Sequence, residues 1–229
     1  MSSWSVVRWT GLLGLASIIF QVLTYIVFVV TSPPLSSVSI DDANKMLVFV
    51  KNWHFGYTTG LLIGFIGLAL FIGFIAGLRT IAIAAAADRE WLATTMFGAG
   101  IVLTAITYVG GGLAVAANAL ANSNHADAAQ VRLLYESVGI VGGPPWFVPT
   151  ALFLGAAGSI AAVTNILPRW LALVGWIGSA LTLIAAFSAY GASDPSAFWS
   201  PNGTVTTLGV LPFWVWTLAA SIVFVRRKR

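Results

Sequence analysis

Apolar residues come in long unbroken runs along this chain, without the period-two alternation of a half-buried strand. Six runs are of membrane-crossing length: residues 9–30, 55–78, 92–117, 146–167, 170–190 and 207–225. About 20 mostly apolar residues carry a helix across the hydrocarbon layer. Each run is bounded by charge, proline or a polar cluster. Backbone amides and carbonyls find no water in lipid, so only helices and closed barrels cross it. Runs this long and uniform do not alternate as barrel strands do. The pattern predicts an all-α, polytopic membrane protein with one six-helix transmembrane domain over residues 1–229.

Composition agrees with the pattern. The chain is 59% hydrophobic and 8% charged, where an average soluble domain has about 45–50% and about 25%. Mean hydropathy is +0.92 and the sequence pI is near 9.8. These values exclude a soluble globular domain, a disordered chain and a nucleic-acid binder. The absence of cysteine excludes a disulfide framework, thiol catalysis and cysteine-ligated metals.

The charges predict an orientation. With the N-terminus in the cytoplasm, Arg8, Arg79, Arg89, Arg169, Arg226, Arg227, Lys228 and Arg229 lie inside, and Lys45, Lys51 and Arg132 lie outside. That split of 8 to 3 places both termini inside. Five of the seven acids, Asp41, Asp42, Asp127, Glu136 and Asp194, then fall on the outer side. The terminal Arg226-Arg227-Lys228-Arg229 reads as a stop-transfer anchor, with a retention or lipid-binding signal as the sharper alternative. The first run is too long for a signal-peptide h-region and no A-x-A site follows it, so it is expected to stay as a helix.

The loops add detail. Pro168-Arg169 is expected to turn the fourth span directly into the fifth, making them antiparallel neighbours. The alanine-rich inner connection 79–91 suits an extended helix. The outer connections, 31–54, 118–145 and 191–206, are longer, which makes the outer face the informative one. Ser39 reads as an N-cap with Asp41 and Asp42 in the first turn, so the second helix is expected to begin near Ile40. Val131, Leu134 and Tyr135 predict an amphipathic helix over 126–139, ended by Gly142-Gly143-Pro144-Pro145, which starts the fourth span. Gly56, Gly60 and Gly64 form a small-residue stripe for close helix contact, either within the bundle or as a homo-oligomer seam. Gly110-Gly111-Gly112 marks a point where the third span is able to unwind, and Pro212 a point where the sixth kinks.

No Asp, Glu, Lys, Arg or His lies deep in a span. That weighs against proton coupling, ion coupling and voltage sensing. Gln21, Thr104, Thr107, Tyr108, Asn118, Thr150 and Asn165 are the polar candidates within or beside the spans, and packing explains most of them. His54 and His125 lie outside with no metal-ligand spacing, so neither a metal nor another cofactor is implied. Walker, GxSxG, HExxH and dinucleotide motifs are absent; Asn202-Gly203-Thr204 is a lone sequon.

Aromatic residues crowd the outer ends: Tyr25, Phe49, Trp53, Phe55, Tyr57, Tyr108, Trp146, Phe147, Tyr190, Phe198, Trp199, Phe213, Trp214 and Trp216. An interfacial belt explains such crowding; so does an apolar pocket for a small molecule. In the second reading Trp53, His54, Trp146, Trp199, Tyr57 and Tyr108 form walls, and Glu136 or Asp194 orients a polar head. The leading expectation is a bundle that binds or passes a lipophilic small molecule or lipid through this outward-facing pocket. A membrane enzyme of isomerase or cyclase type, with Glu136, Asp194 or Asp41 as acid or base, is the alternative. A structural or regulatory subunit is the third. The partners expected are membrane lipids and the lipophilic ligand, with no nucleic acid.

Leu167-Pro168-Arg169-Trp170-Leu171 with Gly175, the Arg8-Trp9 start and the amphipathic 126–139 segment resemble a large family of six-span bacterial membrane proteins of unknown function, common in actinobacteria. Eight arginines against three lysines suit the high-GC genomes of that group. The resemblance implies a bacterial plasma membrane; it assigns no activity and no functional residue.

Overall fold

The computed structural model describes residues 3–33, 42–190, 198 and 204–227. Among these, every regular element is helical. The α-helices are α1 (Ser3–Thr31), α2 (Ala43–Asn52), α3 (His54–Ala85), α4 (Glu90–Ala121), α5 (Ala128–Gly142), α6 (Pro144–Val163), α7 (Arg169–Ala186) and α8 (Thr204–Arg226), with short 3-10 turns at Ala87–Arg89 and Phe187–Tyr190. Six helices are long and apolar enough to cross a membrane. The chain is therefore an all-α six-span bundle.

Consecutive spans run antiparallel. Thr31 lies against Gly56 and Thr10 against Gly77, so α1 and α3 are opposed in direction. Thr182 Oγ1 donates to the Gly209 carbonyl at 2.9 Å, and Trp216 Nε1 to that of Leu171 at 3.1 Å, which opposes α7 and α8. The N-terminal part of α1 meets the C-terminal part of α8 at Gly11 and Gly14, closing the ring of helices. One end of the bundle thus carries Arg79, Arg89, Arg169 and Arg226; this is the arginine end. The opposite, loop end carries α2 and α5.

Packing in lipid relies on close contact rather than on water exclusion. At the centre Phe71, Phe153 and Phe213 meet edge to face, with ring centroids 5.2 to 5.9 Å apart, and Trp216 abuts Phe153 at 5.7 Å. The closest backbone approach joins α6 and α7. A Cβ on Gly175 would lie 2.7 Å from the Gly158 Cα, so no side chain fits between them. The outer surface is apolar, with Ile19, Val30, Leu62, Val109, Leu173 and Ile177 all exposed. A soluble monomer seldom exposes contiguous apolar surface on that scale; hydrocarbon is its natural solvent. Tryptophans Trp9, Trp91 and Trp170 project from the arginine end, as an interfacial belt requires.

Several expectations need correction. Asp42 caps α2, accepting from the Asn44 and Lys45 amides at 3.0 and 3.2 Å; Ser39 and Asp41 lie outside the described residues. The second helix is also divided: α2 ends at Asn52 and α3 starts at His54, with Trp53 between them. The glycine stripe, by contrast, packs within the bundle as one of its two readings had it, Gly56 on Thr31 and Gly60 on Phe28 of α1. Gly110–Gly112 does not unwind and stays in α4. The α6–α7 turn is longer than two residues, because α6 stops at Val163. Ile166 and Leu167 bury themselves from that turn, so apolar character there does not mean helix. The inner connection does lengthen a helix, carrying α3 to Ala85, where Arg79 pairs with Glu90 at 3.2 Å.

Candidate functional site

At the loop end, α2 and α5 fold over the mouth of the bundle. Each is started by an aspartate whose carboxylate accepts two first-turn amides: Asp42 for α2, and Asp127 for α5 at 2.8 and 3.2 Å. Such caps satisfy donors that a helix start otherwise leaves open. The amphipathic reading of α5 holds. Val131 is fully buried, Leu134 and Tyr135 are half-buried, and Leu133 on the opposite face is exposed. Met46, Phe49 and Val50 of α2 are buried in the same cluster.

An aromatic box joins these helices to α1 and α3. Trp53 packs on Tyr57 at 4.7 Å and meets Phe28 and Phe49 edge on, each at 5.5 Å. Tyr57 and Tyr135 are 6.2 Å apart. Trp53 Nε1 donates to Thr31 Oγ1 at 2.9 Å, which ties the α2–α3 bend to the end of α1.

Beneath this box lies a cavity of about 400 Å³. Gln21, Thr24, Tyr25 and Phe28 of α1 line it, with Tyr57, Leu61, Gly64, Phe65 and Leu68 of α3. Leu103, Thr107, Gly110 and Gly111 come from α4, Val138 and Gly142 from α5, and Trp146 from α6. Val210, Phe213 and Trp214 of α8 complete it. The glycines make the space. Gly142 has nothing within 4 Å of an added Cβ, and Gly110 only Val141 at 3.7 Å. Volume of this order and a mostly apolar lining suit a small hydrophobic ligand.

A few polar groups face this wall. Trp146 Nε1 donates to Thr107 Oγ1 at 3.1 Å, and Thr107 donates to the Leu103 carbonyl at 2.8 Å. Gln21 Nε2 donates to Ser17 Oγ at 3.1 Å, leaving its amide oxygen to accept. The Tyr57 hydroxyl makes no hydrogen bond to a described residue. None of the described carboxylates or histidines lines the cavity.

The structure brings two of the sequence-predicted wall residues into the lining, Tyr57 and Trp146. Trp53 belongs to the aromatic box above them. Tyr108 stacks on Phe65 at 5.3 Å and donates to its carbonyl at 2.9 Å, supporting a wall residue from behind. His54 turns to α4, with Nδ1 2.9 Å from Asn118 Oδ1 and 3.2 Å from Asn122 Nδ2. Buried Asn118 also donates to Thr58 Oγ1 at 2.7 Å, so this cluster joins α3 to α4. Glu136 pairs with Arg132 one turn back on α5 at 2.7 Å, on surface-facing side chains. His125 sits exposed in the α4–α5 turn. Asp41, Asp194 and Trp199 lie outside the described residues. Trp216, expected at the outer rim, is buried in the core, where Leu171 accepts its indole N–H.

Gln21, Thr24, Val138, Gly142 and Trp214 were not singled out as wall residues by the sequence. The available signal was the Gly110-Gly111 pair: in the structure Phe65 occupies the place of a Gly111 side chain, and Gly110 leaves space beside Val141. No group of three or more metal-ligating side chains occurs among the described residues. Comparison with protein-family models, curated proteins and solved structures yields no match.

Proposed function

We propose that the protein binds or passes a lipophilic small molecule or lipid through the cavity beneath the α2–α5 roof. In this reading it resides in a bacterial plasma membrane with both termini in the cytoplasm, so that the cavity occupies the outer leaflet. The observation that carries the proposal is the cavity itself: about 400 Å³, lined from α1, α3, α4, α5, α6 and α8, with aromatic walls. Two features support an approach from the bilayer. Tyr25, on the lining, is 62% exposed on the lipid-facing side of α1. On the loop-end side the aromatic box packs Trp53, Phe49 and Tyr135 around Phe28 and Tyr57 of the lining. An apolar ligand already dissolved in the membrane then needs no passage through water.

The hydroxyl of Tyr57 and the amide oxygen of Gln21 offer a polar head one donor and one acceptor. An acid–base mechanism finds no carboxylate on the lining among the described residues, so binding is favoured over catalysis.

Substitution at two glycines separates this reading from a merely structural cavity. Both glycines are exposed and an added Cβ meets nothing at either position, but Gly142 of α5 borders the cavity and Gly112 of α4 does not. Purified protein in nanodiscs is titrated with a fluorescent fatty-acyl probe. Gly142→Leu is expected to bind about tenfold more weakly than the unsubstituted protein, and Gly112→Leu to bind as it does. Equal binding by all three contradicts the proposal.

A further inference from the structure

A second cavity, of about 780 Å³, opens at the arginine end between the α6–α7 turn and the C-terminal part of α8. Its lining divides by chemistry. Arg169, Arg226 and Arg227 supply three guanidinium groups, with the polar side chain of Asn165 beside them. Trp170, Ile222 and their neighbours supply an apolar wall. All three arginines are exposed, and none is paired with a described carboxylate. The acids of this end are engaged elsewhere, Glu90 with Arg79 and Asp88 with Arg89. Arg227 is steered into the cleft by donating to the Ile166 carbonyl at 3.3 Å.

Arg169 is the first residue of one candidate span and Arg226 the last of another. Both therefore stand where hydrocarbon gives way to headgroups. Below them the α8 face continues as Val223, Ile222 and Ala219, over about two turns towards the bilayer centre. Cation above and hydrocarbon below, open to the side, match one amphiphile: a phospholipid with an anionic headgroup. Guanidinium groups recognise phosphate oxygens in two-pronged fashion, and basic pockets between spans are suited to acidic headgroups.

We propose that this cleft is a binding site for an anionic phospholipid, held by Arg169, Arg226 and Arg227 through its phosphate and by Trp170 and Ile222 through an acyl chain. The site is separate from the loop-end cavity and does not depend on that cavity binding anything.

The test is thermal unfolding of the full chain in a neutral detergent, titrated with phosphatidylglycerol, phosphatidylcholine or inorganic phosphate. Phosphatidylglycerol is expected to raise the melting temperature saturably, and the other two to leave it unchanged. Arg169→Gln and the double variant Arg226→Gln/Arg227→Gln should melt as the unsubstituted protein does without lipid. Their apparent affinity for phosphatidylglycerol should fall about fivefold for each arginine neutralised. Arg226→Lys/Arg227→Lys should keep more affinity than the glutamine pair, which a loss caused by misfolding would not allow. Arg89→Gln, at the same end but off the cleft, should bind phosphatidylglycerol normally. An equal loss in Arg89→Gln would reduce the effect to general surface charge and overturn the site. So would a full response to inorganic phosphate or to phosphatidylcholine.

Discussion

Gly158 and Gly175 show how much a single side chain matters in this bundle. Their helices cross with backbone touching backbone, and a Cβ on Gly175 would meet the Leu154 carbonyl oxygen at 2.9 Å as well as Gly158. Backbone cannot move aside as a flexible side chain does. Gly175→Val should therefore destabilise the protein by about 1–3 kcal/mol, read as a lower melting temperature in detergent. An unchanged melting temperature would mean that α6 and α7 do not cross there. Gly175 stood out in the sequence only beside the Leu167–Leu171 junction, and its partner Gly158 did not stand out at all. Helical periodicity says that a residue faces inward, but not which helix it meets. Trp216 illustrates the same limit: its place in the chain suggested the rim, and the Leu171 carbonyl holds it in the core.

Among the elements, α5 matters most to the proposed site, because Val138 and Gly142 roof the cavity. Its start depends on the Asp127 carboxylate. Asp127→Ala removes two charge-assisted hydrogen bonds and should cost about 1 kcal/mol locally. Amide hydrogen exchange over 128–132 should accelerate while the spans stay protected; unchanged exchange would show that tertiary contacts alone hold the helix start. The sequence revealed α5 well, because a polar start, an i, i+3, i+4 apolar pattern and a Gly-Gly-Pro-Pro stop all agree. It concealed the division at Trp53, where neither proline nor glycine marks the break between α2 and α3. It also concealed the end of α6. Pro168 keeps the residue before it out of the helical region, and the chain leaves the helix at Thr164, in the extended region, while Ile166 and Leu167 beyond it remain apolar and buried.

At the scale of the whole molecule, the two ends differ in chemistry. The loop end is roofed by amphipathic helices over an aromatic-walled cavity, and the arginine end presents Arg169, Arg226 and Arg227, none of them ion-paired with a described carboxylate. Hydropathy alone disclosed the six spans, since nothing but helices solves the backbone hydrogen-bond problem over runs of that length. The candidate site was only partly visible. Aromatic residues pointed to the loop end, where the aromatic-walled cavity lies. They did not distinguish a lining residue such as Tyr57 from a supporting one such as Tyr108, because both types serve belt, box and wall. The carboxylates drew attention for their chemistry, and among the described ones Glu136 is engaged with Arg132 away from the cavity.

The central claim is that an apolar molecule enters the loop-end cavity from the bilayer. Its most direct test is photocrosslinking in nanodiscs with a diazirine-bearing fatty-acyl probe, the adducts mapped to residues by mass spectrometry. The account predicts saturable labelling on Leu61, Val138 and Val210, competed away by excess unlabelled probe, beside non-saturable labelling of lipid-facing Leu62 and Val109. Adducts confined to Leu62, Val109 and the rest of the outer surface, with none on the lining, would contradict it.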